Sequence, residues 1–189
     1  GHQIIADPAE IIGVETIATA MAHPLIRGFL HKVVTEEIAP HVAPVPGMTP
    51  QNYLSLIDRR FSNPEIKDTT RRVAFDGSSR HPGFLIPSIR DGLAKGTPVT
   101  GLALASALWA RYCQGTREDG TPIAPNDPNW DDLQATARRA RTEPNAWLEM
   151  RNIYGDLAQR HEFAASFTTW LDMIYVHGVE QTLRTYLEQ

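Results

Sequence analysis

The chain has a single cysteine, Cys113, in 189 residues. It can therefore form neither an internal disulfide nor a thiolate metal cluster, and a reducing cytoplasm is the expected setting. Cys113 stands in an apolar run and reads as a small core residue rather than a nucleophile. Basic charge is also scarce. Eighteen Lys and Arg against 22 Asp and Glu leave a formal charge of −4, with no surplus to displace the counterions of a nucleic acid. The arginines are scattered, and no aromatic-basic run makes a stacking platform for bases. Long apolar runs are missing: the longest, near Leu102 to Ala110, falls far short of the ~20 residues of a membrane span. No basic segment followed by an apolar one opens the chain, so no signal peptide is expected. No segment alternates apolar and polar residues with the period of two that marks strands.

Helical signals fill the space those absences leave. Hydrophobic residues at 42% and charged residues at 21% are ordinary for a soluble globular domain, and the length suits one domain over 1–189. Asp7-Pro8 reads as the start of a helix, with Ile11, Ile12, Val14, Ile17, Ala18 and Met21 at helical spacing until His23-Pro24. Pro24 opens a second, with Leu25, Phe29, Leu30, Val33, Val34 and Ile38 on one face. Pro40, Pro44 and Pro46 predict a turn-rich connection. Thr49-Pro50 starts another helix, with Tyr53, Leu54, Ile57 and Phe61 as its buried stripe. Asn63-Pro64 and His81-Pro82 read as further starts, the latter running to Leu93 with Gly92 and Gly96 at its end. Thr97 to Gln114 is apolar nearly all round, as befits the middle of a bundle. Gly115 to Asn129 reads as an exposed irregular loop. Trp130 resumes a polar helix to Arg141, and Thr142-x-Pro144 restarts the chain. Phe163, Phe167, Trp170, Leu171, Ile174, Leu183 and Leu187 give the last helix its stripe. The expectation is a single all-α domain of about eight helices, without internal repeats.

The seven histidines do not fall at metal-ligand spacing. A proline start separates His23 from His31, and Ala165 stands where a partner to His161 would be needed. No metal is expected. Neither a Gly-x-Gly-x-x-Gly turn nor a phosphate loop is present, so this chain carries no sign of holding a nucleotide itself. No Gly-x-Ser-x-Gly elbow surrounds Ser78-Ser79. Glu36-Glu37 and Asp131-Asp132 are neighbours that point apart on a helix and read as solvated. What remains is the segment from Asp68 to Arg80. It puts Arg72 and Arg80 on either side of a turn at Asp76-Gly77-Ser78, where two guanidinium groups can aim at one small polar ligand. The same residues also read as a solvated helix end with surface ion pairs. His2 can donate or accept near neutral pH. By position it is either a site residue or the remnant of a purification tag.

Several motifs together resemble a known family. They are Arg60-Phe61-Ser62-Asn63-Pro64, Asp68-Thr69-Thr70-Arg71-Arg72, Asp76-Gly77-Ser78-Ser79-Arg80-His81-Pro82, Ile86-Pro87-Ser88-Ile89-Arg90 and Trp109-Ala110-Arg111-Tyr112. In this order they resemble the C-terminal domain of the polyol-specific long-chain dehydrogenases, the mannitol dehydrogenase family. Gly1-His2 ahead of an apolar helix is similar to the segment after that family's catalytic motif. With no initiator Met, the chain reads as cut inside a larger protein.

The resemblance implies hydride transfer between a sugar alcohol and NAD⁺ without zinc, with D-mannitol and D-fructose the expected pair. It implies an N-terminal Rossmann domain of the same protein, absent here, that binds NAD and carries the lysine base and an asparagine. It implies a catalytic role for His2 and substrate-binding roles for Arg72 and Arg80. The fragment alone is expected to be inactive. Relatives often carry lysine where Arg80 stands, and Arg80 keeps arabinitol dehydrogenases and fructuronate or tagaturonate reductases as alternatives. A helical sugar-binding or scaffold module is the alternative outside the enzymes. NAD against NADP is decided in the missing half.

Overall fold

Caps and prolines set most of the helix boundaries. The computed structural model describes residues 1–43 and 46–189. α1 (His2–Ile11) stops ahead of Gly13, whose φ of +79° no continuing helix can hold. α2 (Ile17–Ala22) is capped by Thr16, whose hydroxyl accepts from the Thr19 N–H at 3.1 Å. Pro24 opens α3 (Pro24–Val33), which continues through a π-helical turn, Val34–Ile38, and a 3₁₀ turn, Ala39–His41. Pro40 and Pro46 lie in turns of the connection, and Pro44 falls outside the described residues. Thr49 caps α4 (Pro50–Phe61) through the Asn52 N–H, and Thr69 caps α5 (Thr70–Ala74) through the Arg72 N–H. α6 (Gly77–Lys95) ends on left-handed Gly96. α7 (Thr100–Cys113), α8 (Trp130–Ala140), α9 (Asn145–Leu148), α10 (Arg151–Tyr154), a 3₁₀ turn at Leu157–Gln159 and α11 (His161–Leu187) complete the chain.

The domain is all-α, as its periodicity predicts. Two isolated bridges, Thr16–Thr69 and Thr116–Pro122, are the only extended pairings among the described residues. Every residue from Gly101 to Cys113 is buried, so α7 is the axis of the bundle. α11 and α1 pack along it, and α3, α6 and α8 close its remaining sides. Trp109 of α7 meets Trp147 edge-on at 4.9 Å and stacks on His81 at 3.8 Å. No helix is long and apolar enough to cross a membrane among the described residues.

Several local expectations are corrected. Asp7-Pro8 does not begin a helix: α1 starts at His2, and Pro8 lies inside it. Burial of Ile4, Ile5 and Ala6 on α7 outweighs the hydrogen bond that Pro8 cannot donate. Asn63-Pro64 makes a turn instead of a helix, because Asn63 Oδ1 accepts from the Glu65 N–H at 3.0 Å. Tyr53 is 52% exposed, and only Phe61 of its stripe is buried, since α4 lies at the edge. α6 begins at Gly77, ahead of His81-Pro82. The segment from Gly115 to Asn129 is irregular as expected, yet Ile123 and Asn126 are buried. It is a strap laid across the bundle, not a free loop. Among the described residues eleven α-helices stand against the expected eight: Gly13 divides the first, α5, α9 and α10 are short additional turns, and Asn63-Pro64 contributes none.

Candidate functional site

The site is built where α1, α5, α6 and the strap meet. α5 has only five residues, too few to be stable alone. It is anchored by Thr70, whose buried hydroxyl lies 2.6 Å from Glu10 Oε1 and 2.8 Å from the Val14 carbonyl. Arg117 of the strap meets the other Glu10 oxygen at 3.3 Å. Glu10 thus ties α1, α5 and the strap together. Between α5 and α6 the chain reverses through Asp76, held at φ 60° and ψ 43°, a left-handed conformation that Asp tolerates better than most residues. Gly77 follows by necessity, because a Cβ there would come within 2.5 Å of the Trp109 indole nitrogen.

This turn sets Arg72 on α5 and Arg80 on α6 around one cavity of about 710 Å³. His2, from the first turn of α1, reaches the same cavity, as do Arg60, Asp68, Arg71 and Asn126. All three residues singled out in the sequence are therefore brought together. Arg72 is largely exposed, and Asp68 holds its Nε and Nη2 at 2.7 and 2.8 Å. Its Nη1 has no partner among the described residues. Arg80 donates Nη1 to the Val73 carbonyl at 3.3 Å. The His2 ring packs on Phe61, with centroids 4.5 Å apart.

The electrostatics follow from these neighbours. Hydrogen bonds from Arg72 hold the Asp68 carboxyl below its usual range, against the opposing effect of partial burial. Burial, helped by the positive charge of Arg60 and Arg80, lowers the His2 imidazole, while Asp68 pulls it up. His2 is therefore a neutral donor or acceptor at neutral pH. Four arginines face one aspartate, so the rim offers many donors to ligand oxygens.

Sequence reasoning did not single out Arg60, Arg71, Asp68 or Asn126 as site residues. The Asp68–Arg72 pair has the i, i+4 spacing that could have exposed it. Asn126 carried no local signal, because it comes from a segment some fifty residues away in sequence. No group of three or more His, Cys, Asp or Glu that could hold a metal ion occurs among the described residues. A second cavity of about 510 Å³ lies at the Gly178 bend of α11 and contains none of the residues singled out in the sequence.

Residues 1–175 match the mannitol dehydrogenase C-terminal domain. The chain belongs to that family. A mannitol 2-dehydrogenase of Cereibacter sphaeroides is 54% identical over 187 residues, covering 99% of this chain and 39% of its own length. The mannitol 2-dehydrogenase of Aspergillus fumigatus is 30% identical over 187 residues, covering 98% of this chain and 37% of its own. In structure, the Pseudomonas fluorescens mannitol 2-dehydrogenase, solved as a ternary complex with NAD and D-mannitol, superposes with a TM-score of 0.95. It is 28% identical and covers all of this chain and 38% of its own. A D-sorbitol dehydrogenase in substrate-free form has a TM-score of 0.82 over 96% of this chain and 38% of its own. At 20% identity it speaks for the fold alone. This mannitol dehydrogenase C-terminal domain thus spans about two fifths of the length of the curated relatives it matches.

Proposed function

We propose that the chain is the substrate-binding portion of an NAD-dependent polyol dehydrogenase acting on D-mannitol and D-fructose. The observation that carries this reading is the convergence of His2, Arg72 and Arg80 on one cavity. The residues of this chain do not fit a dinucleotide. They offer no glycine-rich turn and, among the described residues, no strand-to-helix unit to receive a pyrophosphate. The cofactor's grip therefore belongs to the part of the relatives that lies beyond the match, which carries the Rossmann half in this reading. That portion supplies the hydride chemistry when NAD is bound, and the isolated chain is inactive.

The contributions of this chain are binding and orientation. Oxidising a secondary alcohol builds negative charge on its oxygen, and a fixed donor stabilises that charge. Neutral His2 hydrogen-bonds the reacting hydroxyl and holds its proton in line for removal by a base. Arg72, through its free Nη1, and Arg80 grip hydroxyls farther along the extended chain. Such remote contacts hold the reacting carbon in a productive pose. In the complete protein, Arg72→Ala raises KM for D-mannitol by about tenfold or more while NAD affinity stays unchanged. An unaltered KM for every polyol tested would sink the assignment.

The charge of the rim favours a second reading. Arg60, Arg71, Arg72 and Arg80 against Asp68 would also suit a carboxylate, as in fructuronate or tagaturonate. Comparing kcat/KM for fructuronate and fructose reduction separates the two, because a uronate reductase would prefer the acid.

A further inference from the structure

The arginines of the cavity do not hold their own positions. α5 is a single helical turn and half. α6 lacks a side-chain cap of its own, since Asp76 at its start makes no capping bond. Strap residues 124–127 supply what both are missing. On the α5 side, Arg71 donates Nη1 and Nη2 to the Ala124 and Pro125 carbonyls at 2.9 and 2.8 Å. Asn126 Nδ2 donates to the Arg71 carbonyl at 2.7 Å and to the buried Tyr112 hydroxyl of α7 at 2.9 Å. On the α6 side, the Asp76 N–H donates to the Asn126 carbonyl at 3.1 Å. Asp127 then accepts from the Ser78 N–H at 2.8 Å and from the Ser78 hydroxyl at 2.7 Å.

A carboxylate on the first N–H groups of a helix is the usual cap. Here it comes from a residue 49 positions away in sequence. Asp127 is itself fixed in a turn, with the Asn129 N–H 2.9 Å from its Oδ1. The clamped residues lie within two positions of ones that face the cavity, and Arg71 lines it as well. Arg71 precedes Arg72, and Ser78 stands two residues before Arg80.

We propose that Asp127 is a positioning residue for polyol binding: it holds the first turn of α6, and with it Arg80, in the orientation the cavity needs. The role rests on reading this cavity as the polyol site. Asp127 does not line the cavity, so any effect on substrate must pass through the residues it holds. In Asp127→Asn the volume is kept, but an amide NH₂ must take over one oxygen's place against the two Ser78 donors, so the cap is weakened without creating a hole.

The test is a double-mutant cycle in the complete enzyme, with polyol KM, NAD KM, kcat and thermal midpoint read for Asp127→Asn, Arg80→Ala and the pair. The expected result is a polyol KM raised about tenfold by Asp127→Asn, with NAD KM and kcat within about twofold of the parent. In the Arg80→Ala background the same substitution should change polyol KM by less than about twofold, because the group it positions is gone. A lower thermal midpoint with unchanged polyol KM would reduce Asp127 to a structural staple and overturn the proposal. So would an effect on KM that is fully retained without Arg80. If Arg80→Ala and Arg72→Ala themselves leave polyol KM unaltered, the reading of the site fails, and the positioning role fails with it. Should Asp127→Asn not fold, Ser78→Ala removes the hydroxyl half of the same cap and enters the same cycle.

Discussion

His81 is buried in α6, stacked on Trp109 with centroids 3.8 Å apart, and its Nδ1 lies 3.0 Å from the Gly77 carbonyl. Burial pushes its imidazole down to about 4. The sign follows directly. Below the ordinary value of 6.5 the unfolded chain takes up a proton that the folded chain refuses, so stability is lost as pH falls from 6.5 toward 4. The difference corresponds to about 3 kcal/mol. His81→Phe keeps a ring on Trp109 but cannot titrate. Its urea stability should therefore fall less than the parent's between pH 7 and pH 4, by about that amount, and equal losses would refute the assignment. None of this was legible in the sequence, where His81-Pro82 resembled a helix start. The stacking partner comes from another helix. Arg72 and Asp68, by contrast, are one turn apart, and their pairing could be read from spacing alone. Cys113 was read as a core residue and is buried, with its thiol pushed well up by that burial.

At the scale of the element, α7 and α11 illustrate two kinds of long-range control. α7 follows Val99, which provides no side-chain cap. Its first N–H groups are received by Glu37 from the π-helical turn, at 2.7 Å from Gly101 and 2.9 Å from Leu102. The Tyr186 hydroxyl adds a third contact at 3.3 Å. Burial raises the Glu37 carboxyl, and these hydrogen bonds act in the opposite direction. Removing them leaves two buried N–H groups and the buried Tyr186 hydroxyl without partners. Glu37→Ala should lower unfolding free energy by about 3 kcal/mol and Glu37→Gln by about half as much, as read by denaturant titration. Comparable stability in all three proteins would contradict this role for Glu37. Glu37 was read as a solvated neighbour of Glu36. The π turn changes the register of the segment, and the sequence pattern gave no sign of it. α11 reads as one long stripe but bends at Gly178, at φ 81° and ψ 170°. There the Glu118 carboxylate of the strap accepts from the Val179 N–H at 2.6 Å.

Across the whole molecule, one face is left apolar beside the site. Phe84 is 75% exposed and borders a groove of about 520 Å³ that also includes Ile4, Ile38 and Leu85. His2 and Arg80 belong to both this groove and the cavity around Arg72. An exposed apolar patch of that character suits contact with another protein surface. The isolated chain should therefore self-associate at high concentration. Phe84→Ser should reduce that association in sedimentation velocity while leaving the helical circular dichroism unaltered. An unchanged sedimentation profile would place the contact elsewhere.

The all-α class, the central α7 and the proline-led starts of α3 and α4 were determined by sequence alone, because periodicity and capping act over a few residues. Family motifs also named His2, Arg72 and Arg80 before any coordinates. Tertiary structure decided where α1 and α6 begin, the burial of Asn126 and Ile123 within the strap, and the role of Asp127 at the start of α6. Each of these depends on a partner tens of residues away. A buried contact or a borrowed hydrogen bond has no local spacing by which to announce itself.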